Sequence, residues 1–431
     1  MTYQSPISPG VSWYEASVGD RPAYLPLDGD ANVDLAIVGG GFTGLSAAAE
    51  AAKLGASVVL VDAARFGDGA SGRNGGQLNT GQRSTADEHE AALGHERAKA
   101  LFDLAEEAKQ HMLAFTEQNG IDIDYTQGHI SVAHKARYVD EFRAYPDMMA
   151  ERFGYPHLRF VDRAETARIV GSERYFGGVY DSGTGHIHPL KLVVGTAKVA
   201  AARGARLHEN TKVTGLGRAN GRITVETASG TISADRVLLA VNAHGDEKLE
   251  RTMASHVMPI RSFIGATVPL EGEFDKTVLP GRQSVDDSRF VVRYFRRLKD
   301  GRLLFGGREA YGGETPADIE AGVRRQMTEI YPALRDIEIT HAWGGSVGIT
   351  VPREPFVREV MPGVTAMGGY SGHGVMLSNF TGKMWAEAVA GNRDRLGLFK
   401  ELVVPPFPGG RRFRKPLLTL ALSWYAMLDR L

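Results

Sequence analysis

An α/β fold class follows from three observations on this chain. Residues 35–62 read as strand, glycine turn, helix and second strand; a buried strand, Val237–Val241, returns after a β-meander; and residues 258–310 alternate strand-like stretches with turn signals. Strands separated by a helix build parallel crossovers, whereas strands separated by short turns build hairpins. The expected architecture is therefore a Rossmann-like domain joined to an α+β domain whose sheet is mixed or antiparallel. Boundaries are expected at 1–30 for an N-terminal arm, at 31–86, 165–245 and 345–400 for the nucleotide-binding domain, at 87–164 and 246–344 for the second domain, and at 401–431 for a C-terminal tail.

The arm is rich in Pro, Gly and Ser, with Trp13 and Tyr14 placed to anchor it. In the unit that follows, the buried run Leu35–Val38 turns at Gly39, Gly41 presents no side chain to a pyrophosphate, and Gly44 lets the next helix lie close on the sheet. The helix end at Phe42 and Thr43 offers unpaired N–H groups and roughly half a positive charge, which suits a diphosphate. Asp62, with Ala63 beside it, closes Val58–Val61 at about the 20-residue spacing where a carboxylate accepts from an adenosine ribose. Arg would be more natural there in an NADP site, so the bound nucleotide is FAD or NAD.

Downstream, Leu101, Ala105, Ala108, Met112 and Phe115 recur at helical spacing between Asp87 and Asn119, in a helix expected to leave the nucleotide-binding sheet. Pro189 opens a helix to Arg203, and Ala205–Glu209 reads as a returning strand. Ile223–Thr227 and Thr231–Ser233 form the meander before Val237–Val241. Phe290–Tyr294 and Leu303–Phe305 belong to the second sheet, Pro316–Ile330 is helical, and Gly368–Gly374 leads into a helix from Val375 to Ala390.

A net charge of −1 argues against a nucleic-acid partner, which would demand a basic excess. The absence of cysteine removes disulfides, iron–sulfur ligation, thiolate metal sites and a cysteinyl bond to flavin. No metal site is expected, and the lack of a secretory pattern makes a cytoplasmic location the default. At the C-terminus, Arg411–Lys415 precedes the apolar run Leu417–Leu428, too short to span a bilayer. A terminal helix packed on the protein body is favoured there over peripheral contact with a membrane surface.

Two glycine-dense segments separate FAD from NAD. Gly67–Gln77 would let backbone approach a flat ring system, and Gly372-His373-Gly374 before a helix would stabilise negative charge on the N1–C2=O side of a reduced flavin. On the stretches Val38–Ser46, Gly69–Leu78, His188–Lys191, Ala342-Trp343 and Ser371–Val375, the chain resembles the amine-oxidising FAD family that includes D-amino-acid oxidase, glycine oxidase and sarcosine oxidase, and within it the gamma-glutamylputrescine oxidase branch. The likeness spans nearly the whole chain, and Ala70-Ser71-Gly72-Arg73-Asn74-Gly75-Gly76-Gln77 is its most specific part. It implies a discontinuous, glutathione-reductase-like FAD-binding domain, a substrate domain that roofs the flavin, adenine contact through the Val213 backbone, and flavin contact through Ser71, Gly72, Arg73, Asn74, Gly75, Gly76, Gln77, Gly372, His373, Gly374 and Val375. Non-covalent FAD is expected, since Arg73 and Asn74 stand where some relatives carry an attaching His.

The chemistry implied is oxidation of an amine C–N bond, with imine hydrolysis and reoxidation by O2 giving hydrogen peroxide; the substrate is a small-molecule amine such as a gamma-glutamylated polyamine. The alternatives are an FAD dehydrogenase passing electrons to a quinone or protein acceptor, and a flavin-binding subunit without turnover. His373 is a candidate base for the ammonium proton, with a structural role as its alternative. Arg261 is a candidate for oxygen activation. Arg293, Tyr294, Trp343 and Tyr370 are candidate substrate-wall residues, and only one of Arg293 and Tyr294 can face the pocket because strand side chains alternate. A core position for Trp343 and a solvent-facing Arg293 are the alternatives.

Overall fold

A computed structural model describes residues 3–310, 315–392 and 395–408 of the 431. Two sheets organise them. The first has the strand order Phe356–Met361, Val364–Gly368, Thr231–Leu239, Ala31–Val38, Val58–Val61, Arg206–His208, with Val213–Ala219 and Arg222–Thr227 attached as an antiparallel extension. Ala31–Val38 runs parallel to both neighbours, and Leu35–Val38 is buried throughout, as a strand covered by helices on its faces must be.

The second sheet follows the order Ile339–Ile349, Met258–Pro269, Arg302–Ala310, Tyr294–Arg297, Ser284–Asp287, Thr126–Val132, Gly178–His186, Gln77–Leu78, with Leu158–Val161 paired to Gly178–His186. It is mixed: Ser284–Asp287 runs parallel to Thr126–Val132, while most other pairs are antiparallel. Helix Pro316–Ile330 backs it with Ile319, Val323 and Met327 packed against Phe263 and Phe305. That helix starts where expected because Pro316 fills its first turn and Thr315 and Asp318 form a reciprocal capping box.

Several expectations need correction. Gly178–His186 belongs to the second sheet, although 165–245 was assigned to the nucleotide-binding domain; its ladder partner is Thr126–Val132. The long helix divides at Gly94 into Ala86–Leu93 and His95–Gln118. Nor does it leave the nucleotide half: Leu101, Leu104, Ala105, Ala108 and Met112 enter the same core as Phe380 and Met384. Phe290–Tyr294 is not a strand. The Asp287 carboxylate accepts the Arg293 N–H at 3.1 Å, which curls this segment, and pairing begins only at Tyr294.

The meander's last strand runs unbroken over Thr231–Leu239. The C-terminal basic and apolar run lies outside the described residues, and among those described no helix is long and apolar enough to cross a membrane.

Candidate cofactor and substrate site

The floor of the site is backbone. Any Cβ on Gly44 would overlap the Gly39 carbonyl, so the helix Phe42–Lys53 can approach the strand only with glycine there. A Cβ on Gly41 would stand 2.7 Å from the Ser71 hydroxyl, which accepts the Phe42 N–H at 3.0 Å and joins the first turn to the second glycine segment. The Asp62 carboxylate accepts from the N–H groups of Gly40 at 2.6 Å and Ala64 at 2.8 Å. Burial pushes it up to about 6 even so, with Asp68 and Glu209 adding repulsion. Val213 begins its strand just after Thr211, whose N–H donates to the Asp62 carbonyl at 2.6 Å, so Val213 and the exposed Ala63 both flank the Asp62 turn.

The segment Ala70–Gln77 is locked by its own side chains. Asn74 donates to the carbonyls of Ala70 at 2.9 Å and Ser71 at 3.0 Å and accepts from Gly76 N–H at 2.7 Å. Arg73 donates to the carbonyls of Gly344, Pro9 and Gly10, each at 2.7 Å, tying the loop to a roof strand and to the N-terminal arm. Burial draws its guanidinium down to about 10. Tyr14, buried as the arm's anchor, donates to the Asn74 carbonyl at 2.8 Å and accepts from Arg296 at 2.9 Å. Gln77 donates to the Val285 carbonyl at 2.9 Å and so connects floor to roof.

Above this floor lies a cavity of about 260 Å³. Gly41, Phe42, Thr43 and the Ala70–Gln77 segment form one side, Tyr370–Val375 the back, and Ser262, Ile264, Tyr294 and Val347 the roof. Arg83, Asp286 and Arg353 complete its wall.

The candidate side chains divide sharply. Tyr294 lines the cavity with its hydroxyl 3.1 Å from Ser262 Oγ, whereas Arg293 turns away to pair with Glu329 at 2.6 Å. Arg293 is therefore not a wall residue. Trp343 is not one either: it is fully buried, outside the cavity lining, and its Nε1–H donates to the Arg73 carbonyl at 3.0 Å. Arg261 likewise misses the cavity, because Ser262 and Ile264 take the inward positions of that strand and the pleat sends Arg261 to the other face.

Tyr370 lines the cavity, but its hydroxyl is held between Thr381 Oγ1 at 2.7 Å and Thr43 Oγ1 at 3.3 Å, and burial raises it. His373 caps the helix Gly374–Val389, and its Nδ1 is buried with no hydrogen-bond partner among the described residues. Burial first, then the nearby Arg83, draws the imidazole down to about 3. Burial thus disfavours the protonated ring, which speaks for the structural role of His373 over its role as the base.

Asp286 was missed by the sequence reading. It stands 3.3 Å from His129 Nε2, and His129 Nδ1 lies 2.8 Å from Ser284 Oγ. Burial alone would lower His129 and raise Asp286; each outweighs it for the other, so the imidazole is raised and the carboxyl lowered. No local signal marked it, because Asp286 and Asp287 stand among Ser284, Ser288 and Arg289 as they would in a polar turn.

A dinucleotide turn with Asp62, a second glycine loop, a helix N-terminus and a roofing sheet around one cavity define an FAD-dependent oxidoreductase of mixed α/β architecture. The chain belongs to the DAO family of FAD dependent oxidoreductases, whose description matches residues 34–388. It is similar to a probable oxidoreductase, OrdL, of Rhizobium meliloti, at 59% identity over all of both chains. It is also similar to gamma-glutamylputrescine oxidoreductase of Escherichia coli, at 33% identity over 97% of this chain and 98% of the relative. Among solved structures, glycine oxidase from Geobacillus kaustophilus shares the fold with a TM-score of 0.74 at 22% identity, covering 86% of this chain and 98% of that one.

The residues fit FAD: the cradle around Gly41 and Gly44 admits no side chain, and the buried His373 Nδ1, without a partner among the described residues, belongs to a residue that lines the cavity.

Proposed function

We propose that the protein oxidises the C–N bond of a primary or secondary amine, preferentially a gamma-glutamylated polyamine, with O2 as acceptor: R–CH2–NH2 + O2 + H2O gives R–CHO + NH3 + H2O2. The observation that carries this reading is the cavity in which the glycine floor, the N-terminus of helix Gly374–Val389 and a roof bearing Tyr294 and Ser262 meet. Bound FAD supplies the two-electron acceptor. The chain's part is to hold it and to orient the reacting carbon, which is where most of the rate gain from positioning arises.

Gly41, Thr43 and Asp62 would hold the diphosphate and ribose, and the Ala70–Gln77 loop with Gly372–Val375 would hold the ring. The positive end of helix Gly374–Val389 favours negative charge at the ring edge. Tyr294 and Ser262 narrow the roof over the floor and exclude water from it. With the protonated form of His373 disfavoured by burial, the amine is expected to lose its proton to solvent before it enters. The similarity to a gamma-glutamylputrescine oxidoreductase supports the substrate class.

The test is an anaerobic screen of polyamines, their gamma-glutamyl derivatives and N-methyl amino acids, scored by bleaching of the visible flavin band, followed by air and a peroxide assay. Bleaching by an amine with peroxide on reoxidation is expected. Bleaching without peroxide would transfer the protein to the dehydrogenases, and no bleaching by any amine would overturn the reading.

A further inference from the structure

Charge of both signs lines one stretch of the cavity wall. Asp286 is held in advance of any ligand: its carboxylate is 3.3 Å from His129, and His129 is fixed from behind by Ser284 at 2.8 Å. Parallel pairing of Ser284–Asp287 with Thr126–Val132 sets both side chains on one ladder, so the orientation is a property of the sheet. Arg83 lines the same cavity, half-buried, and makes no hydrogen bond or ion pair among the described residues. Arg353 lines it too, with its guanidinium over the Phe290 ring at 5.3 Å. Asp286 forms no ion pair with either arginine, although all three face one space.

A partly desolvated guanidinium without an anion is costly, and its place in one cavity with a carboxylate already held by His129 suits a ligand that brings an anion to the first and a further donor to the second. We infer that Arg83 and Asp286, with Arg353, form a subsite for a zwitterionic amino-acid terminus at the end of the substrate that is not oxidised: Asp286 accepts from its ammonium and Arg83 donates to its carboxylate. This rests on the amine-oxidation reading above and narrows it. A free diamine brings a second cation and no carboxylate, so it meets Arg83 and Arg353 as like charges and is selected against. A gamma-glutamyl amide brings a matched pair.

The experiment uses the full-length FAD-loaded protein and a probe that separates head-group binding from oxidation. Gamma-glutamylmethylamide carries the zwitterionic head without the polyamine arm, and its Kd is read from perturbation of the flavin spectrum. Wild type is expected to bind it about 10- to 100-fold more tightly than its N-acetyl or α-carboxamide analogue, the range for hydrogen bonds to charged groups. Asp286→Asn should erase the preference over the N-acetyl analogue only, and Arg83→Gln the preference over the α-carboxamide only. Arg83→Lys should restore part of the latter, with unchanged flavin content showing that the variants are folded.

Equal affinity for all three probes would overturn the subsite. So would an Asp286→Asn variant that keeps both preferences yet loses bleaching by every amine, since that places Asp286 at the reacting nitrogen. Should no amine bleach the flavin while the head-group preferences hold, the oxidation reading fails and the subsite stands.

Discussion

The floor and the wall of the cavity are built on opposite principles. The floor is backbone from which side chains are excluded: Gly41 and Gly44 leave no room for a Cβ, and Asn74 closes its loop on main-chain groups. The wall carries its character in side chains, with Arg83, Asp286 and Tyr294 presented from backbone that any residue could adopt. Change in the floor is therefore steric and close to all-or-none. Change in the wall is graded, because replacing a charge alters affinity without moving the scaffold. Cofactor capture and substrate choice are thereby separable in this fold.

The largest effect that would break this contrast is at Gly44. Gly44→Val is expected to give protein without flavin absorbance, because the added atoms overlap the Gly39 carbonyl; a yellow, FAD-loaded variant would show that the floor is not sterically fixed. Next in size, Trp343→Ala should lower stability by about 3–5 kcal/mol, the usual cost of emptying a buried aromatic site, and denaturant unfolding checks it.

An intermediate effect belongs to Asp62. Its folded-state pKa of about 6 lies above the ordinary value of 3.8, so without FAD the folded chain takes up the proton more readily than the unfolded one, and this group's stabilisation grows as pH falls from 6 toward 4. Ribose hydroxyls need the ionised form as acceptor. FAD affinity should consequently fall about tenfold per pH unit below 6, and Asp62→Asn should flatten that dependence in a fluorescence titration.

A smaller effect concerns His129. Its folded pKa is raised by Asp286, so the stabilisation from this pair is full below the ordinary histidine range and is lost as pH rises through the raised value. His129→Gln should remove that slope from a stability–pH profile. The smallest effect sharpens the boundary of the wall: Arg293→Gln should leave kcat/KM unchanged and shift stability by under about 0.5 kcal/mol, since its partner Glu329 is exposed. Tyr294→Phe, one residue on, should raise KM several-fold.

The same contrast explains what could be read from the residues alone. The floor was legible because its constraint is local: Gly39, Gly41, Gly44 and Asp62 lie within one strand–helix–strand unit, and each spacing has a steric reason. The wall was not, because it depends on partners far apart in sequence. Ser284–Asp287 is four residues long and takes its register from Thr126–Val132, which no short-range pattern reveals. Arg261 was misjudged for a related reason. Its strand is buried on both faces from Phe263 to Thr267 and carries a register shift between Phe263 and Ile264, so the apolar run gives no phase from which to infer the inward side. The helix His95–Gln118 showed its apolar stripe plainly, but a stripe does not say which core it faces.

Arg73 ties together three stretches that leave the ribosome at very different times: its own loop, Pro9 and Gly10, and Gly344. Until the last of these is synthesised the guanidinium lacks its Gly344 acceptor, and the loop is not yet tied to the roof strand. Helix Gly374–Val389 arrives later still. Coenzyme loading in this fold is accordingly expected late in synthesis, and nascent chains arrested before residue 344 should emerge colourless even when the vitamin-derived ligand is abundant.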